Sequence, residues 1–180
     1  VTNYELHKGL YSGHNDHNYF EIAHTIRREF DANGGIYRGM KLYSFVDNHD
    51  VDRIYSKLNV KGHLLPVHAL LYFLPGIPSV YYGSEFGVEG SKNNGGDDAL
   101  RPAIDLERIK SENPHPELTE WIQTLGKIRR EHPDACAGGR YQELLLTNRQ
   151  YAFARIGERE TLAVAVNNDD QEVQIEVREP

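Results

Sequence analysis

The apolar positions of this chain follow two periods. Leu42 to Val46 is a short continuous run of apolar, aromatic and β-branched residues, which predicts a buried strand. Val1 to Leu6 predicts a strand before it, and Ser79 to Tyr82 a strand after it. Between them the spacing is helical. Tyr19, Ile22, Ala23, Ile26 and Phe30 predict a helix capped by Asp16 and stopped by Gly34-Gly35. Leu64, Leu65, Leu70, Leu71 and Leu74 predict a helix from His63 to Leu74, with Pro66 in its first turn. Leu118, Trp121, Ile122, Leu125 and Ile128 predict another, opening near Pro116 and ending before Pro133. Strands alternating with helices indicate an α/β fold with a parallel sheet and right-handed crossovers.

The period changes toward the end. Val173, Ile175 and Val177 alternate with Glu172, Gln174 and Glu176, as in a half-buried antiparallel strand. Leu162, Val164 and Val166 likewise share a face, and Asn167-Asn168-Asp169-Asp170 between the two runs predicts a turn. The reading is therefore two domains: 1–137, and an antiparallel β domain at 138–180 reached through Ala137-Gly138-Gly139.

Composition narrows the function. A net charge of −7 and a pI of about 5.7 exclude the basic clusters that nucleic acid requires. A mean hydropathy of −0.62 fits a soluble chain, and the long apolar run Leu64 to Tyr82 is broken by His68 and three prolines, so no membrane span is expected. The single cysteine, Cys136, excludes an intrachain disulfide. The chain starts at Val1 without an initiator Met or a signal peptide, which reads as truncation. The compartment expected by default is the cytoplasm.

The candidate chemistry lies at strand ends. Asp47-Asn48-His49-Asp50 follows the strand at Leu42 to Val46 at once, and Ser84-Glu85 follows the run Ile77 to Gly83. In folds built from β-then-α units, that rim is where reactions occur. Each cluster also has a plainer reading. Asn and Asp favour turns and helix caps, His14-Asn15-Asp16-His17 reads as loop and cap, and Glu85 could pair with an Arg at the rim. The polar loop Ser91 to Asp98 is either a functional lid or plain loop.

Phe45-Val-Asp-Asn-His-Asp50, followed by Leu74-Pro-Gly-Ile-Pro-Ser-Val-Tyr-Tyr-Gly-Ser-Glu-Phe-Gly87, resembles the α-amylase family of glycoside hydrolases. The resemblance is greatest to the branch holding neopullulanases, cyclomaltodextrinases and maltogenic amylases. It covers nearly the whole chain and implies the C-terminal part of a (β/α)8 TIM barrel, about strands 6–8, followed by part of an antiparallel β-sandwich domain. Asp50 then matches the carboxylate that stabilises an oxocarbenium-like transition state without attacking the sugar. His49 matches a histidine that hydrogen-bonds the same ring. Asp97 and Arg101 resemble an Asp–Arg pair that clamps the far hydroxyls of that sugar, with Asp98 as an alternative counterpart. The implied partner is an α-glucan or maltooligosaccharide, with no cofactor and no metal.

What is missing matters as much. The family's nucleophilic Asp and acid–base Glu come from the fourth and fifth strands, which have no counterpart here. Retaining glycosidases need both carboxylates, about 5 Å apart, so the isolated chain is expected to be inactive. Other readings stay open: a non-catalytic carbohydrate-binding relative, a metal-dependent phosphohydrolase using His49-Asp50 with upstream histidines, or a half-barrel that works only in an assembly. Exposed sheet edges are expected to pair with a second copy.

Overall fold

Asn3 starts the first helix, α1 (Tyr4–Asn15): its side-chain oxygen accepts from the Leu6 backbone N at 2.9 Å. These contacts belong to a computed structural model that describes residues 1–177. The strand expected over Val1 to Leu6 is thereby corrected to one parallel bridge, Thr2 to Tyr43. Leu6 and Leu10 are buried one turn apart, and His7 and His14 are buried on the same helix. Two inward histidines hid the helical period from a hydrophobicity reading.

Asp16 closes α1 and does not cap the next helix: its N–H donates to the Ser12 carbonyl at 2.8 Å. In α2 (Phe20–Phe30) the cap position falls to Tyr19, whose side chain makes no cap bond. Ile22, Ala23 and Ile26 of α2 are wholly buried against α1.

The parallel sheet holds β1 (Tyr43–Phe45) and β2 (Ile77–Ser79), in register Tyr43 to Ile77, Ser44 to Pro78 and Phe45 to Ser79. Between them run α3 (Ile54–Lys57), a 3-10 turn at Lys61–His63, and α4 (Leu64–Phe73). The second strand was expected at Ser79 to Tyr82 and lies earlier. Gly76 explains the shift. Its φ is +131°, and a Cβ there would sit 2.7 Å from Ser44 Oγ, so the chain closes onto β1 already at this point. The Ile77 N–H then donates to the Leu42 carbonyl at 2.8 Å. Past Ser79 the chain leaves the ladder, and Tyr81 and Tyr82 turn toward a buried arginine instead.

Helix α4 is apolar on all sides because neighbours surround it: α1, the later helix at Pro116–Glu131 and the strand at Thr161–Asn167 all pack on it. Among the described residues no helix is long and apolar enough to cross a membrane. After α5 (Leu106–Ser111) comes α6 (Pro116–Glu131), with Pro116 in its first turn and Leu118, Ile122 and Leu125 buried.

A π-helical turn at Asp134–Gly138 leads to the antiparallel sheet β3 (Arg140–Leu146), β4 (Gln150–Ile156) and β5 (Thr161–Asn167), in spatial order β3-β4-β5. Tyr151, Phe153, Val164 and Val166 of this sheet share one hydrophobic cluster with α1, α2, α4 and α6. The turn after β5 forms, with the Asp169 N–H donating to Asn167 Oδ1 at 3.0 Å. The strand expected at Val173 to Val177 does not. Residues 172–177 make no ladder, and Val173 and Val177 are each 45% exposed. Alternation forms a strand only where a partner supplies hydrogen bonds and a face to bury.

Candidate functional site

Because β1 and β2 are parallel, their C-terminal ends open onto one rim. Asn48 shapes the first loop there. Its side-chain oxygen accepts from the Asp50 backbone N at 2.8 Å, which fixes Asp50 relative to the strand end. The Asp50 side chain is 48% exposed and stands beside His49, with Nε2 to Oδ2 at 3.2 Å.

The partner comes from far along the chain. Arg101 Nη2 donates to Asp50 Oδ1 at 3.2 Å and lies 3.6 Å from Asp97 Oδ2. Its Nε donates to the His49 carbonyl at 3.0 Å. Lys92 Nζ lies on the other Asp97 oxygen at 3.2 Å. The structure thus brings His49, Asp50, Asp97 and Arg101 together. Asp98 offers Arg101 only its backbone carbonyl, at 3.1 Å, so the side-chain contact belongs to Asp97. The loop after β2 is built of 3-10 turns at Ser84–Phe86, Lys92–Asn94 and Asp98–Leu100, and Lys92 N donates to Asp52 Oδ1 at 2.8 Å.

Beneath this shelf lies a buried layer that the sequence reading missed. Asp47 accepts from Ser84 Oγ at 2.7 Å and from the Ile54 backbone N at 2.8 Å. Arg53, with no exposed side-chain surface, stands 3.5 Å from Asp47 Oδ2 through its Nε. Its guanidinium donates to the carbonyls of Leu100 (3.1 Å) and Tyr82, and packs on the Tyr81 ring at 4.6 Å. Burial, then the neighbouring Tyr82, push the Tyr81 phenol above its usual pKa. One signal was available. A carboxylate directly after the buried Phe45-Val46 needs a partner, and Arg53 follows in the same loop. Among the described residues Glu85 pairs with no arginine and its buried Oε2 meets no partner, while its carbonyl accepts from Thr119 Oγ1 at 2.7 Å.

The upstream histidines do not join the rim. His14 is buried, bonding the Leu10 carbonyl and the Tyr19 hydroxyl, and burial drives its pKa to about 3. His17 Nδ1 meets the Asn168 carbonyl at 2.8 Å. Among the described residues no group of three or more His, Cys, Asp or Glu is disposed to hold a metal ion. A cavity of about 610 Å³ lined by Gly39, Lys41, Pro75, Gly76 and Arg155 opens at the N-terminal ends of β1 and β2, away from Asp50. The arrangement at the rim is an open shelf of fixed acceptors around one guanidinium, suited to a ligand rich in hydroxyl donors.

Residues 15–132 match the family described as alpha amylase, catalytic domain. A cyclomaltodextrinase from Bacillus sp is 27% identical over 131 residues, covering 71% of this chain and 22% of the relative. A cyclomaltodextrin glucanotransferase from Thermoanaerobacterium thermosulfurigenes is 30% identical over 131 residues, covering 71% of this chain and 16% of the relative. Among solved structures, the ligand-free cyclic alpha-maltosyl-(1→6)-maltose hydrolase from Arthrobacter globiformis superposes with a TM-score of 0.74 at 28% identity. That match covers 92% of this chain and 36% of the hydrolase. The chain spans less than a quarter of the length of either curated relative.

Proposed function

Because the chain belongs to the alpha-amylase catalytic-domain family, we propose that it is the C-terminal portion of a retaining glycoside hydrolase or transglycosidase acting on α-glucans. In this reading β1 and β2 are the seventh and eighth strands of a (β/α)8 barrel, and the segment through α1 and α2 belongs to the sixth unit. Residues 1–137 complete the barrel, and 138–180 begin a β-sandwich domain. The names of the matched relatives, a cyclomaltodextrinase and a cyclomaltodextrin glucanotransferase, support a maltooligosaccharide or cyclodextrin substrate.

One observation carries the reading: Arg101 holds Asp50 and Asp97 at the rim, with His49 beside them. An Asp50 carboxylate facing the reacting ring favours the positive charge that develops as the glycosidic bond breaks. His49 hydrogen-bonds the same ring. Asp97, held by Arg101, accepts from hydroxyls farther along the sugar. The nucleophile and the acid–base are supplied by residues outside this sequence, so this chain stabilises a transition state that it does not itself create.

The test compares the natural protein containing this chain with the 180-residue chain alone, on maltoheptaose and β-cyclodextrin. Reducing-sugar release or glucosyl transfer is expected from the natural protein and none from the chain alone. Turnover by the pure chain, abolished by Asp50→Asn, would overturn the division of labour. Binding of maltoheptaose by the natural protein with no turnover would favour a non-catalytic relative.

A further inference from the structure

Arg53 lies wholly buried under the rim and reaches each segment that bears a site residue. Its backbone N donates to the Gly90 carbonyl at 2.9 Å. Its Nη1 donates to the carbonyl of Leu100, the residue before Arg101. Its Nη2 donates to the Tyr82 carbonyl and reaches Ser84 Oγ at 3.4 Å. Its Nε faces Asp47, in the loop that ends at Asp50. We propose that Arg53 is a positioning residue for the glucan site, setting the spacing between Asp50 and Arg101 from below. This rests on the functional reading above.

Energetics favour positioning over bulk stability. A buried ion pair repays its desolvation poorly, and apolar residues of equal volume often serve stability as well or better. The exposed pairs of Asp50 and Asp97 with Arg101 are worth only about 0–1 kcal/mol, too little to hold a geometry alone. The spacing must therefore be imposed by something rigid, and Arg53 ties its own loop after β1, which bears Asp50, to the loop after β2, which bears Arg101. A planar fork donates to Tyr82 and Leu100 while its Nε stands 3.5 Å from the Asp47 carboxylate, whereas a lysine ammonium is a single point. The backbone is fitted around it: a Cβ at Gly83 would come within 3.0 Å of Arg53 Nη2, and one at Gly90 within 2.9 Å of its Cγ.

The experiment uses the natural protein containing this chain, with Arg53→Lys, Asp50→Asn and the double variant. A displacement of the site by about 1 Å can cost about a hundredfold. Arg53→Lys is expected to keep a cooperative melt while kcat on maltoheptaose falls about ten- to hundredfold and KM changes less than about threefold. On the Asp50→Asn background the same substitution should add little, since it acts through Asp50. Backbone amide exchange should quicken at 47–50 and 97–101 and hold steady in α4 and α6. Unchanged kcat in Arg53→Lys, losses that multiply in the double variant, or exchange that quickens evenly throughout would each overturn the proposal. If the wild-type protein leaves α-glucans untouched, the functional reading fails, and the exchange pattern still decides whether Arg53 positions the rim.

Discussion

Arg101 Nη2 stands 3.2 Å from Asp50 Oδ1, while Arg101 Nε donates to the carbonyl of His49, the residue just before it. One guanidinium therefore grips both the side chain of Asp50 and the backbone that carries it. A point charge could attract the carboxylate, but only a rigid fork also fixes its direction. With Asp97 at 3.6 Å on the same nitrogen, two acceptor groups from different loops keep a set separation. Sugar hydroxyls are recognised by such fixed acceptors, and the partial exposure of these side chains leaves their free lone pairs open to a ligand.

Asp50→Asn in the natural protein removes the charge and keeps the shape. Losing one electrostatic partner of the transition state typically costs about a hundredfold or more in turnover. The expected outcome is a kcat lower by that order with KM little changed, because the interaction strengthens as positive charge develops. Steady-state kinetics on maltoheptaose check this. Full activity would reduce Asp50 to a residue of the turn that Asn48 makes.

Arg101→Lys keeps the charge and loses the fork. A lysine cannot reach the His49 carbonyl, Asp50 and Asp97 together, so both carboxylates should drift. The pairs themselves are exposed and worth only about 0–1 kcal/mol, so the loss comes from misplaced carboxylates, and kcat/KM is expected to fall about ten- to a hundredfold. Asp97 is proposed to accept from hydroxyls away from the reacting bond, where contacts change little on the way to the transition state, so KM should rise as well as kcat fall. A variant with wild-type kcat/KM would sink the argument from fork geometry.

Much of the candidate site was legible in the sequence because its residues lie in two short blocks, one at a strand end and one in the loop after β2. His49 and Asp50 directly follow the buried Phe45-Val46, and Asp97 and Arg101 are one helical turn apart. What hid was the buried layer. Asp47 and Ser84 meet between the loops after β1 and β2, and Arg53 joins the same two loops, through contacts that no period records. In the fold, the helices from Phe20 and from Pro116 were readable from apolar spacing. Helix α1 was not, because His7 and His14 occupy its inner face. The strand expected at Val173 to Val177 failed for another reason: period describes which side a residue faces, not whether a partner is there to pair with it.

The chain on its own is expected to self-associate. Tyr4, Tyr43 and Ile77 are 48%, 44% and 48% exposed around a parallel sheet that has two named strands among the described residues. Val1 to Asn3 cover part of the β1 edge, the outer edge of β2 carries no ladder among the described residues, and burying each large apolar side chain is worth about 1.5–3 kcal/mol. Sedimentation velocity over a concentration series should show growth beyond the monomer, weakened by Ile77→Ser. A monomer that persists at every concentration and melts cooperatively would count against it.

Glu29 carries a pH dependence of definite sign. It is 1% exposed and accepts from Asn3 Nδ2 at 2.7 Å. Burial raises its pKa from the usual 4.5 to about 7, and the Asn3 bond opposes that only in part. Between these values the folded state holds more protons than the unfolded one, so this contribution is fully present below pH 4.5 and is lost as pH rises through 7. A shift of this size corresponds to at most about 3 kcal/mol before screening. His7 works in the other direction: burial lowers it from 6.5 to about 4, so its contribution is lost as pH falls through that window. Glu29→Gln cannot ionise and still offers Asn3 an oxygen. Its stability advantage over wild type should therefore be larger at pH 8 than at pH 5, because wild type alone pays for ionisation there. Urea unfolding of both proteins at the two pH values measures the difference. An advantage that does not change with pH would show that Glu29 does not titrate as its burial requires.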